Sequence, residues 1–173
     1  MSEKKFALYD LKVSYNGPIN IEEFFAEMDR WMEHNDYEKE PKKHLEHVTK
    51  DGKQIEWLIE TKRKLSDIFE SILILRVLFN NVREIVVVKN GKRLKTNHAD
   101  ALITIDGVLE GRLTQTWWHG KVVFQFIRTL IDKYIYNFWT FKYEGVVQAD
   151  AHKLFKHVRS FLSLQKYKYQ NHQ

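Results

Sequence analysis

Apolar and polar residues follow two different periods along this chain. Between Phe6 and Tyr15 they alternate every second residue, the pattern of a strand with one buried face. After the break at Asn16-Gly17-Pro18, apolar residues recur every three or four positions, which predicts an amphipathic helix. Asn20 is placed to cap that helix, with Glu23 completing a capping box. The sequence therefore begins with a β-α unit.

A period of two returns after this helix. The segment Tyr37–Thr49 is polar and contains Pro41, which lacks a donor for the ladder, so we expect an edge strand. Asp51-Gly52 predicts a tight hairpin. In the returning strand, one face carries the apolar residues Ile55, Trp57 and Ile59.

Three further segments complete a predicted sheet of about six strands. Ile68–Phe79 is apolar on both faces and therefore belongs in the interior of the sheet. Asn80-Asn81 is predicted to turn the chain, because Asn tolerates left-handed conformations, and Arg83–Lys89 is predicted to form the next strand. Asn90-Gly91 predicts a second hairpin, and the return strand runs from Lys92 to about Leu113.

Helical spacing resumes in the last third of the chain. Apolar residues between Val123 and Trp139 predict a long helix over 120–142, and a second pattern predicts a helix from Ala149 to about Leu164. Gly145 would end the first helix or lie in the connection. A polar tail over about 165–173 is expected to fray.

This order of elements predicts one α+β domain over residues 1–173. We expect a curved antiparallel sheet to grip the 120–142 helix on its concave face, which covers the sheet. In element order and length, from Phe6 to about Leu164, the chain resembles the START-like or SRPBCC superfamily, the helix-grip fold. No residue motif carries this resemblance. Six strands stand where the family commonly has seven, and Asp51-Gly52 stands where it has a glycine-rich loop.

The composition excludes several classes of protein. With 43% hydrophobic residues, 7 Gly and 2 Pro, the chain is globular rather than disordered or collagen-like. The absence of Cys excludes disulfides, thiol catalysis and thiolate metal sites, and is consistent with a cytoplasmic location. No apolar stretch is long enough to predict a transmembrane segment, and the first twenty residues do not resemble a secretory signal.

Catalytic chemistry finds little support in the sequence. No catalytic or cofactor-binding motif is present. His44 and His47 fall on opposite faces of a strand, so no metal site is predicted. Asp100 and Asp106 share a face but lie about 20 Å apart in an extended strand, too far for a pair of acid–base carboxylates. We expect a non-enzymatic protein without a cofactor, and a START-like cyclase is the lesser alternative.

The resemblance implies a cavity between sheet and helix that holds a hydrophobic small molecule of the lipid, isoprenoid or quinone type. Such sites are apolar pockets with a few polar groups. The other interpretation of the same aromatic and aliphatic residues is ordinary core packing. The candidate wall residues are Trp57, Ile59, Ile72, Ile74, Ile103, Ile105, Trp118, Phe126, Leu130, Tyr134 and Phe138.

Charge divides unevenly along the chain, whose net charge is +5. Residues 1–60 carry 9 Lys and Arg against 14 Asp and Glu, whereas residues 61–173 carry 19 against 9. The segment Lys166-Tyr167-Lys168-Tyr169 alternates lysines with aromatic residues, a pattern that suits the phosphates and bases of RNA. The alternative function is therefore binding of RNA, a ribonucleoprotein or an acidic partner, against the interpretation of a solvated surface. The candidate basic patch consists of Lys62, Arg63, Lys64, Lys89, Lys92, Arg93 and Lys95.

Overall fold

Five antiparallel strands and two helices form the part of the chain that the computed structural model describes, residues 2–112 and 137–170. The strands form one open sheet in the order β1-β5-β4-β3-β2. This α+β arrangement with a C-terminal helix is confirmed and is compatible with a helix-grip layout. The elements are β1 (Ser2–Ile19), α1 (Ile21–His34), β2 (Glu38–Thr49), β3 (Gly52–Lys64), β4 (Phe69–Lys89), β5 (Lys92–Arg112) and α2 (Asn137–Gln170).

Helix α1 forms where its sequence predicts. The Asn20 side chain accepts a hydrogen bond from the Glu23 backbone N–H at 3.0 Å and so caps the first turn. Phe24 is fully buried and meets the ring of Phe79 in β4 edge to face, with ring centroids 5.5 Å apart. Phe25 likewise meets Trp57 of β3 at 4.7 Å. These contacts place α1 over β3 and β4.

Within residues 2–112 and 137–170 the sheet has five strands, not about six, because the predicted turn at Asn80-Asn81 is a bulge. β4 continues from Phe69 to Lys89 without reversing, and its pairing with β5 shifts between Asn80 and Arg83. Asn81 takes a left-handed φ of 53°. Because asparagine tolerates this conformation, the strand accommodates one extra residue opposite β5 as a bulge, and the chain does not reverse direction.

Both predicted hairpins are present, and one is displaced by a residue. Asn90 and Gly91, with φ of 50° and 75°, form the turn between β4 and β5 as predicted. Between β2 and β3 the turn residues are Lys50 and Asp51, because Thr49 already pairs with Gly52. β2 lies at the edge of the sheet, as Pro41 predicts, and all of its residues are exposed.

β1 contains bulges that change which side chains face the helices. The register with β5 shifts between Phe6 and Leu8 and again between Leu8 and Leu11, and Asp10 has a left-handed φ of 62°. The uniform alternation predicted for this strand would turn Tyr9 inward with Leu11. The bulges instead leave Tyr9 67% exposed.

The helix that packs on the sheet is α2, which includes the last residues of the first predicted helix and the whole of the second, and continues further than the second was predicted to. Gly145 lies inside it, and residues 165–170, expected to fray, extend it, with Gln165 and Tyr169 buried. Of the predicted 120–142 helix, residues 120–136 lie outside the described residues. The residues that α2 buries are Val147, Asp150, Ala151, Leu154, Val158, Phe161, Leu162, Gln165 and Tyr169.

α2 approaches the sheet closely at Gly107 of β5. A Cβ placed on Gly107 would lie 3.0 Å from Val147 Cγ1 and 3.6 Å from the Ala151 Cβ. A side chain there would therefore push the helix away, and glycine allows the close contact. Gly145, by contrast, faces open space.

Asp150 attaches α2 to the sheet through a buried polar cluster. Its carboxylate forms an ion pair with Arg63 of β3, and the Tyr37 hydroxyl donates to Asp150 Oδ2 at 2.9 Å. The same hydroxyl accepts from Ser71 Oγ of β4 at 2.8 Å, and the Arg63 guanidinium lies over the Tyr37 ring at 4.9 Å. The carboxylate thus joins α2 to β3 and to the α1–β2 connection, and the Tyr37 hydroxyl extends the cluster to β4.

Burial raises the pKa of the Tyr37 hydroxyl well above its ordinary value. Its folded-state pKa therefore exceeds the pKa in the unfolded chain. The stability that this difference contributes is present through the neutral range and is lost as the pH rises above about 10, where an unfolded tyrosine ionises.

The two glycines near α2 give opposite expectations. Gly145→Ala should raise the free energy of unfolding by about 0.5–1 kcal/mol, because alanine favours a helix interior and has space. Gly107→Val should lower it by about 1–3 kcal/mol through overpacking against Val147. Urea unfolding measures both. A stabilised Gly107→Val variant would show that α2 does not lie against β5 at this point.

Removal of the Asp150 carboxylate should be strongly destabilising. Asp150→Ala leaves the partly exposed Arg63 and the buried Tyr37 without their acceptor, and we expect a loss of about 2–4 kcal/mol in urea unfolding. Lys153→Ala is the control. The Lys153 side chain is exposed, and its Nζ lies 3.4 Å from Asp150 Oδ1, so its removal should change the free energy of unfolding by less than about 0.5 kcal/mol. Equal effects of the two substitutions would contradict the anchoring role of Asp150.

Candidate functional site

The two halves of the candidate basic patch lie at opposite ends of the sheet. Lys64 pairs with Glu70 near the beginning of β4, whereas Lys89 is the last residue of that strand. Over the 21 residues of β4, this separation is roughly 60 Å. The structure therefore does not bring the seven predicted residues together into one surface.

The half at the end of β3 is neutralised by acidic partners. Lys62 lies 2.8 Å from Glu40, Lys64 lies 2.8 Å from Asp67, and Arg63 pairs with Asp150. The hydrogen bonds that Lys62 and Lys64 donate to Glu40 and Asp67, respectively, raise the pKa values of the two lysines. These cations are thus occupied in intramolecular pairs.

The other half lies on a two-stranded arm, residues 83–96, formed by the end of β4 and the beginning of β5. β3 last pairs with β4 at Val82, and β1 last pairs with β5 at Asn97, so none of the described strands lies beside the arm on either side. At about 3.3 Å per residue it extends roughly 20 Å beyond the shared sheet. The unequal lengths of the strands therefore produce a projecting β-ribbon.

The arm carries a positive charge that the described residues do not compensate. Its five cations face a single acid, Glu84, which lies 3.1 Å from Lys95. Within residues 2–112 and 137–170, Lys89, Lys92 and Arg93 form no ion pair. Val88 lies opposite Arg93, and Val86 opposite Lys95, with both valines more than half exposed. One face of the ribbon thus alternates apolar and basic side chains.

A groove of about 460 Å³ lies beside the arm, between α1 and the C-terminal part of α2. Lys89 of the arm is among its lining residues and therefore joins the two features. Phe161 is buried in the groove, where its ring meets Phe24 of α1 at 5.6 Å. Leu164 and Tyr167 also line it and are 65% and 71% exposed. The groove thus combines apolar surface with charged groups.

Polar contacts within α1 and between α1 and α2 line the groove. Glu27 of α1 lies 2.9 Å from both Arg30 and the His157 Nε2. Glu23 accepts hydrogen bonds from Gln165 at 3.0 Å and from Lys168 at 3.3 Å. The bond from Gln165, with a contribution from Lys168, lowers the pKa of Glu23. Lys89 is the lining cation without such a partner among the described residues.

Of the groove residues, Tyr167 and Lys168 belong to the basic and aromatic segment singled out in the sequence and Lys89 to the predicted basic patch, whereas Arg30 and His157 were not predicted as site residues. His157 lies 130 residues from its partner Glu27, so no local pattern connects the two. The sequence offered only the helical periodicity of α1 and α2, which shows which residues share a face of each helix but not which element packs against that face.

The candidate cavity walls divide between the two faces of the sheet. Trp57, Ile59, Ile103 and Ile105 lie on the face that carries the helices, where Leu75 pairs with both Ile59 and Ile105. Ile72 and Ile74 have the opposite parity on β4, so they cannot line the same cavity as those four. Trp118, Phe126, Leu130, Tyr134 and the side chain of Phe138 lie outside the described part of the chain.

Comparison with known proteins identifies no relative: no family model, no curated protein and no solved structure matches the chain. Among the described helices, none has the length and hydropathy needed to cross a bilayer.

Proposed function

We propose that this protein binds RNA through the arm and the adjoining end of α2. The observation that carries the proposal is the contrast between the two basic clusters. The cations at the end of β3 have acidic partners, whereas Lys89, Lys92 and Arg93 have none among the described residues. Unpaired cations on a projecting ribbon are available to phosphates.

The geometry of the ribbon suits a polyanion. Side chains alternate between its two faces, so Arg93 and Lys95 point to one face while Lys89 and Lys92 point to the other. Phosphate contacts of this kind release counterions and supply most of a sequence-independent affinity. Exposed Val86 and Val88 add apolar surface between the charges.

Binding of an apolar small molecule beneath the helix, the function that the helix-grip resemblance implies, is the less favoured proposal. A side chain that lines a ligand-sized cavity keeps some accessible surface. Ile59, Ile103 and Ile105 have none, because they are packed among Leu75, Val147 and the other core residues. The described part of the proposed wall therefore favours the packing interpretation.

Loss of two arm cations should weaken RNA binding in a salt-dependent way. We expect Lys92→Ala/Arg93→Ala to make the slope of log affinity against log salt shallower by about 1.4, since each phosphate contact with a single strand contributes about 0.7. Fluorescence anisotropy with a labelled oligouridine of about twelve nucleotides, a length typical of such surfaces, measures the slope.

The matched control removes the same number of charges at the other end of the sheet. Lys62→Ala/Lys64→Ala should leave the slope unchanged, because both lysines are already paired with carboxylates. Equal losses from the two double variants would show that only net charge matters. Absence of binding to the unmodified protein at low salt would refute the proposed function.

A further inference from the structure

We propose that the groove between α1 and α2 receives an unpaired base, so that the protein prefers single-stranded RNA over a duplex. This inference rests on the proposed function and adds the class of RNA to it. The feature that carries the inference is the position of the Tyr167 ring, exposed on a groove that the arm cation Lys89 also lines.

The groove offers the apolar contact that a base requires. Tyr167 and Leu164 are largely exposed, and the buried ring of Phe161 lies between the helices. An aromatic ring left in solvent beside a groove is a stacking platform for a base, whichever base it is. The groove volume of about 460 Å³ lies within the usual range for small-molecule sites.

The charged groups around the groove suit the two parts of a nucleotide, a cation for the phosphate and carboxylates for the base. Lys89 brings an uncompensated positive charge from the arm, which favours a phosphate. Glu23 and Glu27, although paired with Lys168 and Arg30, retain carboxylate oxygens that accept hydrogen bonds, as the N–H groups of a base edge require. A strand whose backbone follows the arm would thus present a base to the groove.

A base in a duplex cannot reach this surface. Its faces are covered by its neighbours in the stack, and its pairing edge is engaged, so entry between two helices would require unstacking and unpairing. Single strands already expose their bases, and sequence-tolerant single-strand binding commonly combines a basic track with aromatic platforms. The arm alone, by contrast, would bind single strands and duplexes through their phosphates alike.

The test replaces Tyr167 and, separately, removes the bases from the RNA. Tyr167→Ala should weaken binding of oligouridine at least about fivefold, the lower end of the loss expected for one stacked base. It should not change the affinity for an abasic oligomer of equal length or for a duplex. Tyr167→Phe should retain the affinity, because the ring and not the hydroxyl stacks. Tyr9→Ala, at an equally exposed tyrosine on β1, is the matched control and should have no effect.

The outcomes separate this inference from the proposed function. If Tyr167→Ala weakens oligouridine and abasic RNA equally, or has no effect while Lys92→Ala/Arg93→Ala still reduces the salt slope, the arm binds RNA and the groove does not hold a base. Equal affinity of the unmodified protein for single strand and duplex would also overturn the inference. The inference is supported if Tyr167→Ala weakens binding of oligouridine and leaves binding of the abasic oligomer unchanged.

Discussion

The buried carboxylate of Asp150 is the interaction on which the positions of α2 and of the groove depend. A carboxylate on a residue that is 3% exposed is costly unless it is paired and hydrogen-bonded, and the observed placement of α2 brings Asp150 to Arg63 and Tyr37. Gly107 sets how closely the helix approaches the sheet. Further along, Gln165 accepts from the Asn20 backbone N–H and donates to Glu23, which holds the end of α2 against the beginning of α1.

The arm arises from a different constraint, the unequal lengths of neighbouring strands. β4 and β5 have 21 residues each, while β3 has 13 and β1 leaves β5 at Asn97. Unpaired strand edges invite aggregation, and charged side chains, Lys above all, prevent it. That protective role accounts for cations on the arm but not for the scarcity of acids beside them. β2, also an edge strand, balances its lysines with glutamates.

Local chemistry made α1, the edge strand and the Asn90-Gly91 turn predictable, because each is determined by residues within a few positions of one another. The strand count was not, since Asn80-Asn81 suits a turn and a bulge equally well. Ile72 and Ile74 were grouped with residues of the opposite face for a similar reason: both faces of β4 are apolar, so alternation alone cannot select the inner one. The groove depends on contacts between α1 and α2 about 130 residues apart, which periodicity does not encode.

Footprinting of lysines on the intact protein tests most directly whether RNA lies on the arm. Acetylation with and without an excess of oligouridine, followed by mass spectrometry, compares all lysines in one experiment. The account predicts protection of Lys89, Lys92 and Lys95 and unchanged reactivity at Lys62 and Lys64. Uniform protection across the surface, or protection at the end of β3 with none on the arm, would contradict it.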